Sequence, residues 1–199
     1  MRCISISSDD TLHKKAPGGI AIIPSGEIDR DVLTFLGEAL SVTFTKKTYI
    51  CPPLPKPAFA FDSRRRQYLS TAILRTVSAQ HEYRHFKRVL VVVDVDLYVP
   101  RLNFVFGIAS GESALISLTR LAPEWYGYPA DRVLFQRRVL TEAVHELGHT
   151  FGLPHCTNPL CVMFFSNCLE DTDRKGPEFC ARCARKTQSF KKNQEEKIP

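Results

Sequence analysis

The sequence predicts a three-layer α/β fold, in which helices back a twisted mixed sheet, followed by a small cysteine-rich C-terminal subdomain. Two observations predict it. Strand-like and helix-like patterns alternate from the N-terminus to about residue 151, which is typical of a sheet covered by helices. After Gly152 the periodicity is lost, and prolines and cysteines replace most aliphatic residues. We therefore expect residues 1–152 to contain the sheet and its helices, and residues 153–199 to form the subdomain.

The first elements are two short strands and a helix. Residues 1–7 and 19–24 have strand character. In residues 29–40, apolar side chains recur at the helical spacing i, i+3, i+4, i+7 and i+8, namely at Val32, Phe35, Leu36, Ala39 and Leu40. This stripe predicts an amphipathic helix, and Asp29 suits its positive N-terminal end. We expect residues 41–45 to form the next strand.

The middle of the chain contains a loop, a second helix and the strongest strand. The proline-rich residues 51–57 cannot form either regular element. A second helix follows, with one apolar stripe made of Leu69, Ala72, Ile73, Thr76 and Val77. Residues 88–97 are apolar without alternation until Asp94, as expected for a strand buried on both faces.

The last predicted elements lead into the longest helix. Residues 102–108 alternate between apolar and polar side chains, and residues 114–118 can pair with them across a turn at 110–112. The third helix spans residues 131–151. The region after it has too few aliphatic residues for a core of its own and needs a staple.

Composition and charge exclude several classes of protein. The 199 residues are 44% hydrophobic and 24% charged, with a formal net charge of +6, so the chain can bury a core. The longest apolar run, residues 89–93, is too short to span a bilayer. The N-terminus lacks the apolar core of a signal peptide, so we expect a cytoplasmic protein. Without a nucleic-acid-binding motif, we interpret the basic residues 64–66 and 174–197 as solvated surface, and a nucleic-acid partner as unlikely.

The end of the predicted third helix contains a metal-binding pattern. His145 and His149 lie four residues apart and therefore project from one helix face, one turn apart. This spacing allows two imidazoles to reach one zinc ion. Glu146 lies about 100° further around the axis, so it suits a base that accepts a proton from zinc-bound water better than it suits a ligand.

A third histidine completes this candidate site. Gly152 stands where the helix must stop, because glycine readily adopts the left-handed cap conformation, and Pro154 prevents the helix from resuming. The chain can then turn and bring His155 to the metal. Three protein ligands leave one position for water, which is typical of a catalytic zinc.

A second candidate metal site lies in the C-terminal region. Its members are two cysteine pairs separated by 18 residues, Cys156 and Cys161, then Cys180 and Cys183. Four thiolates close a tetrahedral zinc site and leave no room for water, so this zinc would be structural and would staple residues 153–183. The alternative is a set of reduced, unligated thiols. Cys168 is the spare cysteine. Together the two sites predict two zinc ions per chain, one catalytic and one structural.

The pattern His-Glu-x-x-His-x-x-Gly-x-x-His resembles the metzincin zinc signature. Its continuation is similar to the narrower archaemetzincin pattern, which adds Cys156, Cys161, Met163, Cys180 and Cys183. Residues 102–107 and 164–167 also resemble archaemetzincin segments, and the resemblance is clear over residues 88–183. Two departures, a gap of 16 residues between the methionine and the distal cysteine pair and the additional Cys168, do not put the resemblance in doubt.

The resemblance implies a metzincin (zincin-like) fold and a zinc metalloprotease, that is, a hydrolase of peptide bonds. It implies that His145, His149 and His155 bind the catalytic zinc and that Glu146 is the general base. Met163 would be the residue of the Met-turn, a hydrophobic floor beneath the metal.

The resemblance also implies an edge strand that binds an extended substrate, which we assign to residues 102–108 or 114–118. We expect peptides or unfolded chains as substrates, a monomer, and no membrane association. One alternative is a non-catalytic or weakly active protein that binds peptides or a partner on a metzincin scaffold. Another is a nucleic-acid-associated protein that uses the cysteines and the basic tail. The intact Glu146 favours the peptidase, because a pure binder needs no base.

Overall fold

The computed structural model describes residues 4–5 and 18–187. In chain order its strands and helices are β1 (Ile4–Ser5), β2 (Ile20–Ser25), α1 (Arg30–Phe44), β3 (Thr48–Ile50), β4 (Phe61–Asp62), β5 (Gln67–Leu69), α2 (Ser70–Ser78), β6 (Arg88–Val93), β7 (Leu97–Tyr98), β8 (Gly107–Ser110), β9 (Ser113–Ser117), α3 (Arg132–Thr150) and α4 (Leu169–Lys175). Residues 181–187 are also helical. The other residues of the strand predicted at residues 1–7 lie outside the described part, and so do residues 188–197 of the basic tail.

The main sheet is mixed and has the strand order β1-β3-β2-β6-β9-β8. Its centre is parallel, while β1 and β8 run antiparallel to their neighbours β3 and β9. All six residues of β6 are buried, as predicted for a strand covered on both faces. A smaller sheet, β4-β5-β7, which the sequence did not predict, stands beside it.

Helices cover both faces of the main sheet. Alternate side chains of β6 point in opposite directions, so that Leu90 and Val92 pack in one apolar cluster with α1 and α3. Val89, Val91 and Val93 pack in a second cluster with α2. The predicted three-layer α/β architecture is therefore confirmed.

The prediction of a strand at residues 41–45 is wrong. The helix α1 continues to Phe44, because Leu40 and Phe44 extend its buried stripe by one further turn. Burial of these side chains outweighs the weak strand preference of the intervening β-branched residues. Thr45 then ends the helix in a left-handed conformation with φ of 52°, and the strand follows as β3.

The strands predicted on either side of the turn at 110–112 are confirmed in part. The strands β8 and β9 form the expected hairpin, but β8 begins only at Gly107. Of residues 102–106, only Val105 forms a bridge among the described residues, with Leu97. The strand β9 is paired on both sides, whereas β8 lies at the edge of the sheet. Residues 114–118 therefore cannot offer a free edge to a substrate.

The strand predicted over residues 88–97 is also divided. The strand β6 ends at Val93, and the chain crosses to β7 in the smaller sheet. In the C-terminal region, the unpredicted helix α4 packs against α3, and Leu153, Val162 and Met163 join the apolar cluster of α1 and α3. None of the helices in the described ranges has the length and apolar character needed to cross a membrane.

Candidate active site

The helix α3 ends where the sequence predicts, at a glycine cap. Gly152 has a φ of +80°, a conformation that residues with a side chain rarely adopt. The N–H of Leu153 donates to the carbonyl of Gly148 (3.1 Å), and the N–H of Gly152 donates to that of His149 (2.9 Å). These two bonds form a Schellman motif, which turns the chain back towards the helix.

This turn brings together three residues that we call the histidine cluster, His145, His149 and His155. Their candidate ligand atoms all lie within 4.8 Å of one another. The Nδ1 atoms of His145 and His149 bond to the carbonyls of Val162 (2.7 Å) and Leu153 (2.8 Å). A backbone partner on Nδ1 selects the tautomer that leaves Nε2 free for a metal.

The donor geometry of the histidine cluster fits a zinc ion. The Nε2 atoms of His145 and His149 are 3.1 Å apart. Two nitrogens bound to one tetrahedral zinc at its usual bond length are about 3.4 Å apart. These two imidazoles therefore need little rearrangement to bind one ion. His155, the exposed member of the cluster, supplies the third candidate ligand atom.

The electrostatic environment keeps the histidine cluster neutral. Burial lowers the pKa of all three imidazoles. For His145, which is almost fully buried, the Lys175 ammonium lowers the pKa further. Because a neutral imidazole is the form that binds metal, this environment favours metal binding at neutral pH.

Glu146 lies beside the histidine cluster, beneath the edge strand. It is buried, and burial together with the neighbouring Glu142 carboxylate raises its pKa well above the ordinary value, although Lys175 opposes the shift. A methyl group on Gly107 of β8 would lie 2.7 Å from Glu146 Cγ and 2.9 Å from its Oε1. The glycine therefore allows the close approach of this side chain to the edge strand.

The four cysteines predicted to bind a second metal are also assembled. The Sγ atoms of this cysteine cluster, Cys156, Cys161, Cys180 and Cys183, all lie within 4.8 Å of one another. The Sγ atoms of Cys156 and Cys180 are 3.9 Å apart, close to the value of about 3.8 Å expected for two thiolates on a tetrahedral zinc. Burial opposes ionisation, but the backbone N–H of Asn158 and the Arg182 guanidinium lower the pKa of Cys156 to about 6.

Met163 lies between the two cysteine pairs in the chain and is fully buried. Its carbonyl accepts a hydrogen bond from the N–H of Cys156 (2.8 Å). Its Sδ occupies the space that a side chain on Gly148 would fill. The methionine therefore packs directly against α3, one turn from the end of the helix. Cys168, the spare cysteine, is an exposed thiol.

A cavity of about 250 Å³ opens beside Glu146 and His145. Residues 102–107 line one side of it and residues 165–167 line another. Both segments stand out in the sequence for their resemblance to archaemetzincin segments, and residues 102–108 as a candidate substrate-binding strand, but the sequence did not predict that the two segments line one cavity. The cavity extends the candidate site away from the histidine cluster and along α3.

A buried ion pair at the far end of this cavity was not predicted. Lys175 Nζ lies 3.3 Å from Glu142 Oε1 and donates to the carbonyl of Phe164 (3.3 Å). Thr172 donates to the same Oε1 (2.9 Å). The sequence could have indicated this ion pair through Glu142, which lies one helical turn before Glu146. Lys175 lies 33 residues after Glu142 in an unpredicted helix, and no spacing rule selects it.

Side chains from the smaller sheet and its surroundings hold the segment before β8 in place. Arg65 Nη2 donates to the carbonyls of Leu102 (2.7 Å) and Asn103 (3.0 Å). The Arg120 guanidinium stacks over the Phe104 ring at 4.2 Å. These contacts position a cavity wall that has almost no strand pairing of its own.

Comparison with known proteins agrees with this geometry. The model of peptidase family M54 matches residues 38–189, more than half of the chain. The chain belongs to peptidase family M54. It is 47% identical over 176 residues to the archaemetzincin of Pyrococcus abyssi, covering 85% of this chain and 94% of that protein.

Solved structures extend the similarity to the fold. The crystal structure of an archaemetzincin from Methanopyrus kandleri has a TM-score of 0.77 and 35% identity, and covers 91% of this chain and 99% of its own. A zinc-dependent peptidase from Methanocorpusculum labreanum has a TM-score of 0.77 and 29% identity, and covers 85% of this chain and 100% of its own. The chain is therefore a zinc metallopeptidase, a hydrolase of the archaemetzincin type, and the resemblance inferred from its motifs is confirmed.

Proposed function

We propose that the chain hydrolyses peptide bonds at the histidine cluster, with His145, His149 and His155 as zinc ligands and Glu146 as the general base. The observation that carries the proposal is the convergence of three imidazoles on one point beside a buried carboxylate. The chemistry that a bound zinc ion supplies is polarisation of a carbonyl oxygen and a lower pKa for water.

The residues of the chain have distinct tasks in this proposal. Glu146 accepts the proton of the attacking water and delivers it to the leaving amine, a transfer favoured by a pKa raised towards neutrality. The carbonyls of Val162 and Leu153 hold two imidazoles in one orientation. Met163 packs behind the helix and forms the floor.

The substrate in this proposal is a peptide or an unfolded chain, bound along the edge strand β8. Its outer edge is available for an additional strand because β8 pairs with β9 alone in the main sheet. Main-chain hydrogen bonds to such an edge align a peptide irrespective of its side chains. Glu146 lies directly beneath Gly107 in this strand, so the aligned peptide would pass over the proposed base.

We further propose that the cysteine cluster binds a second, structural zinc, so that the chain holds two zinc ions. Four thiolates and a tetrahedral spacing support this assignment. The ion would staple residues 153–183 of the C-terminal subdomain (residues 153–199) onto residues 1–152; residues 188–199 lie outside the described part. Because Cys156 follows His155 directly, the staple would also fix the third ligand of the catalytic site.

The test is cleavage of a diverse mixture of unstructured peptides by the zinc-loaded protein, with Glu146→Gln assayed in parallel and zinc content measured for both. We expect the variant to retain zinc and to lose about 10² to 10⁴-fold in kcat. The exposed Glu38→Gln on α1 is the matched control and should cleave like the wild type. Equal cleavage by the Glu146 variant would exclude this residue as the base. Binding of peptides without cleavage by the wild type would favour the alternative of a binding protein on a metzincin scaffold.

A further inference from the structure

The cavity beside the proposed catalytic centre has a buried carboxylate at its far end, which the function proposed above does not use. It extends from Glu146 and His145 to Glu142 and Lys175. Glu142 precedes Glu146 by four residues on α3, so the two carboxyl groups lie on one helix face, about 6 Å apart along the axis.

The walls of the pocket are largely apolar. Leu102, Phe104 and Phe106 line one side and Phe165 lines the other. The ring of Phe165 lies 4.9 Å from the ring of His155, so this wall begins at the histidine cluster. Apolar walls of this kind suit the methylene groups of a long side chain.

The charged atoms at the base are not equally available. The side chain of Lys175 is fully covered, whereas 4% of the Glu142 side chain is exposed. The Lys175 ammonium contacts Glu142 Oε1, the carbonyl of Phe164 and Nδ1 of His145. Thr172 also donates to Oε1. The contact of the Lys175 ammonium and the hydrogen bond from Thr172 thus both involve Oε1. The second oxygen, Oε2, keeps its capacity to accept hydrogen bonds, and Glu142 lines the cavity.

We infer that this pocket receives a long basic side chain, lysine or arginine, from the substrate residue next to the scissile bond. The methylene stem packs between the apolar walls, and the terminal cation donates a hydrogen bond to Glu142 Oε2. The four-carbon stem of lysine spans about 6 Å, which matches the separation of Glu142 and Glu146 along the helix axis. An acidic side chain is disfavoured, because it would meet Glu142 and Glu146 while Lys175 is covered and already paired. The inference rests on the proposed function, since the bound peptide is what delivers the side chain.

The experiment uses the full-length zinc-loaded protein and peptides that differ at one residue, placed in turn on either side of the cleaved bond. The residues are lysine, arginine, norleucine and glutamate, where norleucine matches the stem of lysine without its charge. On one side of the bond, we expect kcat/KM for lysine to exceed that for norleucine by about tenfold, as a charge-assisted hydrogen bond predicts, and glutamate to be the poorest.

Two variants assign this preference to the ion pair. Glu142→Gln should bring the ratio of lysine to norleucine close to one. The double variant Glu142→Gln with Lys175→Met should do the same while leaving no unpaired buried charge, so it guards against misfolding of the single variant. The matched control Glu38→Gln should keep the wild-type ratio. A ratio near one in the wild type, a preference for glutamate, or an unchanged ratio in both Glu142 variants would overturn the inference.

A binding measurement separates this inference from the proposed function. Fluorescence anisotropy of the same peptides with Glu146→Gln reports on the pocket without turnover. If the wild type cleaves nothing but lysine peptides bind about tenfold more tightly than norleucine peptides, the proposed function fails and the pocket assignment stands. If cleavage occurs and neither assay distinguishes lysine from norleucine, the pocket assignment fails and the proposed function stands.

Discussion

The substitution Gly107→Ala tests the placement of Glu146 with a single methyl group. The added Cβ would lie 2.7 Å from Glu146 Cγ and 2.7 Å from the carbonyl oxygen of Leu115. Carbon atoms in contact normally lie about 3.5 to 4.0 Å apart, so the contact with Glu146 Cγ must lengthen by about 0.8 Å or more, and the contact with the Leu115 carbonyl oxygen must lengthen as well. The Leu115 carbonyl belongs to β9 inside the sheet, so we expect the edge strand to shift away from it and the Glu146 side chain to be displaced.

The expected magnitudes follow from this displacement. A misplacement of about 1 Å at a reacting group can lower the rate by about 10²-fold, and we expect a loss of this order in kcat/KM for Gly107→Ala. Overpacking lowers the free energy of unfolding by about 1 to 3 kcal/mol. Zinc content should not change, because the displaced carboxylate is not one of the proposed ligands.

The assay is cleavage of a fluorogenic peptide, combined with urea unfolding and zinc analysis. Gly111→Ala, in the turn after β8, is the control. Gly111 has a φ of +58° and no neighbouring atom within 4 Å of the new methyl group, so the substitution should lower stability by about 1 kcal/mol through backbone strain while leaving kcat/KM unchanged. If Gly107→Ala keeps more than a third of its activity, or if Gly111→Ala loses as much, the close contact with Glu146 does not control catalysis.

Three further predictions test other features of the structure. Because burial lowers the pKa of the histidine cluster, zinc affinity there should fall between pH 7.5 and 6.5 by less than the loss of about sixfold that proton competition imposes on three ordinary histidines with a pKa of about 6.5. Chelator competition measures the loss, and a fall of about sixfold or more would contradict the lowered pKa. Cys183→Ser should reduce the zinc content from two to one per chain and speed amide hydrogen exchange in the surrounding loop, whereas Cys168→Ser should change neither; two retained zinc ions would contradict the structural assignment. Asp173→Asn should lower the free energy of unfolding in urea by about 1 to 3 kcal/mol, because this carboxylate receives two hydrogen bonds of 2.7 Å from a buried arginine of α3. The exposed ion pair of Asp31 should contribute less than about 1 kcal/mol, and equal losses for Asp31→Asn and Asp173→Asn would refute the argument from burial.

Much of the fold could be predicted because local patterns report burial directly. The uninterrupted apolar run of β6 and the stripe of α1 identified their elements and the three-layer class. The errors occur where tertiary packing outweighs local preference. Residues 41–45 look like a strand, yet Phe44 completes the buried stripe of α1. Residues 102–106 alternate like a strand, yet they are held as a loop by Arg65.

The chemistry of the candidate centres could be inferred from local sequence patterns. The spacing of His145 and His149 on a helix, the stop at Gly152 and the paired cysteines allow only a few arrangements, because helix geometry and metal coordination are both local constraints. The surroundings of these groups, in contrast, depend on long-range packing. The contact of Gly107 with Glu146, the ion pair of Glu142 with Lys175 and the cavity between them join segments far apart in the chain, and such contacts depend on how whole elements pack.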